Sequence, residues 1–120
     1  MTVIIIENSK LIGKFLSEKV NVEDPVGVVE KLRDAVSLLG TSSYNTASCE
    51  MELAKARGLL AEEYKSYQAT TAKSIIEGKL SEHIYYRTLC DSQDKQLHYM
   101  IESLRTIISY LKTEINSVRN

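Results

Sequence analysis

Near the end of the chain, apolar side chains fall at Leu97, Ile101, Leu104, Ile108, Leu111 and Ile115, with charged and polar residues between them. Steps of three and four residues put these positions on one face of a helix. Cys90, Leu97, Leu104, Leu111 and Val118 also recur at intervals of seven, flanked by Met100 and Ile107 and by Ile101, Ile108 and Ile115. The pattern predicts a helix over 82–118, about 50 Å long at 1.5 Å per residue. Its apolar face is wider than the seam of a two-stranded coiled coil, so one partner helix does not cover it. We expect the N-terminal helices and other subunits to bury that surplus, with Leu97, Ile101, Leu104, Ile108, Leu111 and Ile115 as the oligomer interface.

Upstream, Met51, Ala54, Gly58, Ala61, Gln68, Ala72 and Ile75 trace a stripe of mostly small residues and predict a second long helix over 43–77. Small side chains let a neighbouring backbone come close. The stretch "EGKLSEHIYY" predicts the reversal between the two: Gly78 stops one helix, Ser81 caps the next, and Leu80 staples onto Tyr85. Two shorter helices precede them. Asp24 as cap and Pro25 in the first turn open one that Gly40 closes, with Val28, Val29, Leu32, Val36 and Leu39 turned inward. Leu11, Ile12, Phe15, Leu16 and Val20 predict another over 9–20, and Val3 to Ile6 fit a short strand or a first helical turn. The expected fold is all-α, a long antiparallel hairpin (43–77 and 82–118) with two shorter N-terminal helices packed on it. We expect a single helical domain over 1–120, divided into N-terminal helices (1–42) and hairpin (43–120).

Composition narrows the chemistry. A chain of 120 residues, 43% hydrophobic, builds one core. Fifteen Lys and Arg against sixteen Asp and Glu create no global positive field, so any site for a polyanion must be local. The opening "MTVIIIENSKLIGKFL" lacks a basic leader and a small-residue cleavage site, and Glu7, Asn8 and Lys10 cut it short of a span of about 20 apolar residues. A soluble protein without a membrane segment is expected. Cys49 and Cys90 show no metal-ligand spacing and are expected to be reduced, which places the chain in the cytoplasm.

Candidate catalytic groups are sparse. His83 and His98 have no second His or Cys three or four residues away on the same helix face. Glu82, Asp91 and Asp94 offer oxygens for a divalent cation, but Arg87 and Lys95 interleave with them as in ordinary helix salt links. Cys90 has no nearby His and sits in the register of Leu97 and Leu104, the place of a small buried hydrophobe. We therefore expect no enzyme, cofactor, metal or small-molecule substrate.

Seven tyrosines against one phenylalanine and no tryptophan are the unusual count. Tyr64 and Tyr67 accompany Lys65, Tyr85 and Tyr86 precede Arg87, and Lys73 and Lys79 lie nearer the expected hairpin tip. Rings beside cations suit single-stranded nucleic acid, whose bases stack while its phosphates meet the charges. The same rings suit helix and subunit interfaces.

The elements "LAKARGLL" and "DSQDKQLHYMIESLRTIISYLK" lie within a pattern over roughly residues 50–116. A charged helix, a tyrosine-containing stretch, a short polar link and a long final helix follow one another there. The pattern resembles the UvsY family of recombination mediators of T-even phages. The resemblance implies a non-catalytic accessory protein of phage homologous recombination that binds single-stranded DNA and forms homo-oligomers in the bacterial cytoplasm. Members load a strand-exchange recombinase onto strands coated by single-strand binding protein. The positions coinciding with the basic and aromatic part of the pattern are Lys55, Arg57, Tyr64 and Lys65; the cation and ring pattern adds Tyr67 and Lys73. The chain departs from the pattern in being slightly acidic. The alternative is a helical structural or adaptor protein that oligomerises and binds a protein partner without nucleic acid.

Overall fold

The structure, a computed structural model, describes residues 1–119 and their side chains as far as Ser117, so the Val118 side chain of the heptad row lies outside the described residues. Four helices follow one another: α1 (Val3–Ser17), α2 (Pro25–Glu63), α3 (Ala69–Lys79) and α4 (Ser81–Arg119). Pro25 opens α2 as expected, with Asp24 at the N-cap, although the Asp24 side chain makes no capping hydrogen bond. The Asp24 carboxylate leans over Gly27, where an added Cβ would come within 2.7 Å of its Oδ2.

The division into helices differs from the expected one at three points. α2 passes without a break through Gly40 and the "TSS" segment, so the expected helices over 25–40 and from 43 are one. A glycine inside a helix costs about 1 kcal/mol relative to alanine. Here Ala35 and Ser42 are buried on either side, and Leu38 and Leu39 join the same core. Their packing outweighs that cost. α1 begins at Val3 and ends at Ser17, where 9–20 was expected. Val3 to Ile6 are helical because Ile5, fully buried, fits between Cys49 and Cys90. At the other end the Lys31 ammonium donates to the Phe15 carbonyl at 2.8 Å and lies 3.7 Å from the Phe15 ring centroid, tying off the last turn of α1.

The third difference moves the hairpin. α2 and α4 are antiparallel: Ser42 pairs with Asp94, Asn45 with Cys90 and Glu50 with Arg87. The chain reverses at Tyr64–Gln68 and not at Gly78–Ser81. At the latter point Leu80 donates to Ile76 at 3.0 Å and its carbonyl accepts from Ile84 at 2.9 Å. The helical ladder thus runs through the junction and joins α3 to α4 as one arm. Gly78 takes no left-handed conformation, and Leu80 is buried at the joint. From Ala69 to Arg119 such an arm is about 76 Å long, matching the molecule's longest dimension of 77 Å. The radius of gyration is 20.6 Å, against about 14 Å for a compact chain of this size.

The two long helices contact each other directly, and α1 packs over the groove between them, antiparallel to α2 and parallel to α4. Its Phe15 and Leu16 pack with Leu32 and Met100 around the buried Ala35, Leu97 and Ile101. Leu97 is 0% exposed, and each such side chain stabilises the fold by roughly 1.5–3 kcal/mol. Helical spacing continues beyond this three-layered stretch, but α1 no longer covers it. Replacing Gly78 by Ala tests the joint: we expect stability to rise by about 0.5–1 kcal/mol in urea unfolding, whereas a glycine acting as a helix stop would lose stability on the same change.

Candidate nucleic-acid interface

The helix-poor run "YKSYQ" makes the reversal at the hairpin tip. Tyr64 closes α2 by donating to the Leu60 carbonyl at 3.0 Å, and the Tyr67 amide donates back to the Tyr64 carbonyl at 3.1 Å. Gln68 then starts α3, its carbonyl accepting from Ala72 at 2.8 Å. The turn brings α3 back along the end of α2 and leaves a groove of about 490 Å³ between them. Ala61, Ala69, Ala72 and Ile76 form its apolar part, and Arg57, Tyr64, Lys65, Tyr67, Lys73 and Glu77 supply its rings and charges.

Five of the six residues expected to contact nucleic acid, Arg57, Tyr64, Lys65, Tyr67 and Lys73, thus converge on one concavity. Lys55 does not line it. The Tyr64 and Tyr67 rings meet edge to face, 5.2 Å between centroids and 69° between planes. Tyr64 is half-buried and Tyr67 is 52% exposed, so Tyr67 offers the freer ring. Lys79, which the sequence set near a different tip, comes within 5.5 Å of the Tyr64 ring centroid.

Two of the cations have acidic neighbours. Arg57 Nη2 lies 3.2 Å from Glu77 Oε1, and Lys65 Nζ lies 2.6 Å from Glu62 Oε1. Both pairs are exposed, and such ion pairs contribute little, so an incoming anion competes with them easily. From Lys55 to Leu80 there are five cations and three carboxylates, while the whole chain carries a formal charge of −1. The tip is therefore the locally basic end.

The other tyrosine pair is placed differently. Tyr85 and Tyr86 also meet edge to face, at 5.1 Å. Tyr86 packs against the cluster of Ile5, Cys49 and Cys90, and Arg87 faces Glu50 at 3.9 Å. The stripe on α4 is divided as well. Leu97, Ile101 and Leu104 are buried within the single chain and have no surface left for a second one. Ile108 and Leu111 are half-buried and Ile115 is exposed.

His98 faces Asp94 at 3.6 Å, one helical turn away, and Asp94 accepts from Ser42 at 2.8 Å. Among the described residues no three His, Cys, Asp or Glu side chains are grouped to hold a metal ion, and no helix is long and apolar enough to cross a membrane. Cys49 and Cys90 are unbridged, buried, and 3.3 Å apart at sulfur. Burial, followed by the hydrogen bond and charge of Cys90, pushes the Cys49 thiol from 9.0 up to about 12. A buried thiol held protonated in this way is a poor nucleophile.

Comparison with family models, curated proteins and solved structures finds no match to this chain.

The cysteines yield a test of pH dependence. The folded chain holds the Cys49 proton to about pH 12, whereas the unfolded thiol releases it near 9.0. The stability contributed is complete below the lower value and is lost as pH rises toward the upper one. We expect the urea midpoint to fall above pH 9, with a smaller fall in a Cys49→Ala variant. At pH 8 a thiol reagent should label neither cysteine in the native chain and both in denaturant.

Proposed function

We propose that this chain is a non-catalytic, self-associating accessory protein that binds single-stranded DNA at its hairpin tip. The observation that supports this is the convergence of Arg57, Tyr64, Lys65, Tyr67 and Lys73 on one groove. These residues come from both sides of a chain reversal, and the groove combines rings, cations and an apolar floor. Bases stack on exposed rings while phosphates meet the ammonium and guanidinium groups, a mode that reads no sequence. The role is that of a recombination mediator of the UvsY type, acting beside a recombinase and a single-strand binding protein in the cytoplasm of a bacterial host. It needs no cofactor, metal or membrane.

A structural adaptor is the second reading, favoured by the pairing of Arg57 with Glu77 and of Lys65 with Glu62. In that reading the tip docks a protein whose own charges match this mixed surface.

Titration of a labelled oligonucleotide separates the two. Binding should be strongest at low salt and weaken steeply as salt rises, because each phosphate contact releases counterions. Lys65→Glu should weaken binding to any sequence and flatten the salt slope. Tyr67→Ala should cost roughly 1–3 kcal/mol for a stacked base lost, with no change of charge. Tyr64→Ala should lose less, since its ring is already half-covered. Equal affinity of the wild type and Lys65→Glu at low salt, with helix content unchanged, would favour the adaptor.

A further inference from the structure

The face of α2 turned away from the core carries its own apolar row. The row includes Val29 and Val36, expected from the sequence to turn inward but exposed because the core side of α2 is taken by Val28, Ala35 and Ser42. At steps of three and four residues the face presents Val26, Val29 and Val36 in its first half and Ala47, Ala54 and Gly58 in its second, all exposed. Gly40 and Tyr44 lie between the halves, and Met51 continues the row. Val26 is 66% exposed and Met51 54%. A side chain added at Gly40 or Gly58 would meet nothing within 4 Å. Arg33 is the charged member of the row. A solvated helix face ordinarily carries charges at such positions, and here the charges flank the row.

We propose that this face is a homodimer interface in which two copies pair α2 antiparallel about a two-fold axis between Gly40 and Tyr44. Three features on the face favour a second copy. The first is its length: α2 extends about 58 Å, which suits another long straight helix. The second is the gradient of side-chain size. In an antiparallel pair one register sets Val36 over the partner's Ala47, Val29 over the partner's Ala54 and Val26 over the partner's Gly58, with Gly40 under the partner's Tyr44. Each valine meets a small residue at every level, and the axes approach closely. A parallel pair stacks valine on valine at one end and leaves gaps between glycines and alanines at the other.

The third feature is charge. In the same register Glu30 faces the partner's Lys55 on one flank of the seam, and two-fold symmetry repeats the pair; Arg33, in the row, lies over the partner's Met51. The arrangement also accounts for Lys55, the expected DNA contact that stays out of the tip groove. A seam of this length about 10 Å wide covers on the order of 600 Å² per protomer, near the lower bound for specific dimers. The two hairpin tips then lie about 70 Å apart, at opposite ends of the pair. The dimer stands independently of nucleic-acid binding, since it uses a different face.

The experiment measures mass by light scattering and cross-linking on the full chain without DNA. The wild type should have the mass of a dimer. Gly58→Arg should halve it while melting as high as the wild type's own monomer or higher, because the position is open and arginine favours helix over glycine. Ser103→Arg, exposed on α4 and away from this face, should leave the mass unchanged. A Val36→Cys, Ala47→Cys double variant should oxidise to a covalent dimer, and neither single variant should, since equal positions are about 16 Å apart in the antiparallel pair. A wild-type monomer at hundreds of micromolar, a Gly58→Arg variant of unchanged mass, or a single Val36→Cys variant that cross-links as well as the double would each overturn the proposal.

Discussion

The amide of Asn45 joins all three layers of the bundle. Its Nδ2 lies 3.2 Å from the Ile5 carbonyl and 3.2 Å from the Ser9 hydroxyl, both on α1, and 3.4 Å from the Cys90 sulfur on α4. Gln93 adds a bond of 2.9 Å from its amide to the Ser9 carbonyl. A buried polar group without a partner costs several times what a made hydrogen bond contributes. If α1 slid by one turn, Ile5 would leave its site between the cysteines and Asn45 would lose both α1 acceptors. Apolar stripes alone tolerate such slips, because one leucine contact resembles the next. The polar layer does not, and it fixes how far α1 reaches along the hairpin.

That reach decides which parts of the long helices are finished and which are open. Where α1 lies, Leu97, Ile101 and Leu104 have neighbours on all sides. Past its C-terminal end, Ile107 and Leu111 share a groove with Val22 and Tyr110. Past its N-terminal end, α2 and α3 form a two-helix tip with an alanine-lined cleft. A two-layered end buries less surface per residue and opens at lower free energy than the middle. Adaptable contacts therefore belong at the ends, and the middle serves as a rigid spacer.

The helical class and the extent of the last helix were legible because periods near 3.6 residues persist over many turns. The start at Pro25 was legible because a proline has few places in a helix. The glycines misled. Gly40 and Gly78 permit a stop but do not impose one, and neighbouring packing kept both in helix. The real reversal lacks glycine and proline; its signal was the weaker one of Ser66, Gln68, Thr70 and Thr71 crowding a short stretch. The candidate site was legible in its residues and not in its location. Lys65, Tyr67 and Lys73 stood out as cations beside rings, yet their convergence depends on a turn placed more than ten residues from the expected one. For the stripe from Leu97 to Ile115, periodicity reports that a face is buried and leaves open whether the chain's own α1 or another subunit covers it.

Charge distribution reconciles an acidic chain with the anionic ligand proposed for it. With five cations and three carboxylates between Lys55 and Leu80, the remainder holds ten cations and thirteen carboxylates. At physiological ionic strength a charge is felt over about 8 Å, far less than the 77 Å length of the molecule. A phosphate at the tip therefore responds to Arg57, Lys65 and Lys73 and is screened from the acidic middle. The same distribution works against a strand laid along the helices, where carboxylates outnumber cations. A strand held by this protein would meet it end-on, at the tip, and a track along DNA would have to be built by repeating tips from several subunits. In the proposed assembly self-association would determine the spacing of the contacts, and the charge of any one subunit would matter less than where assembly places its tip.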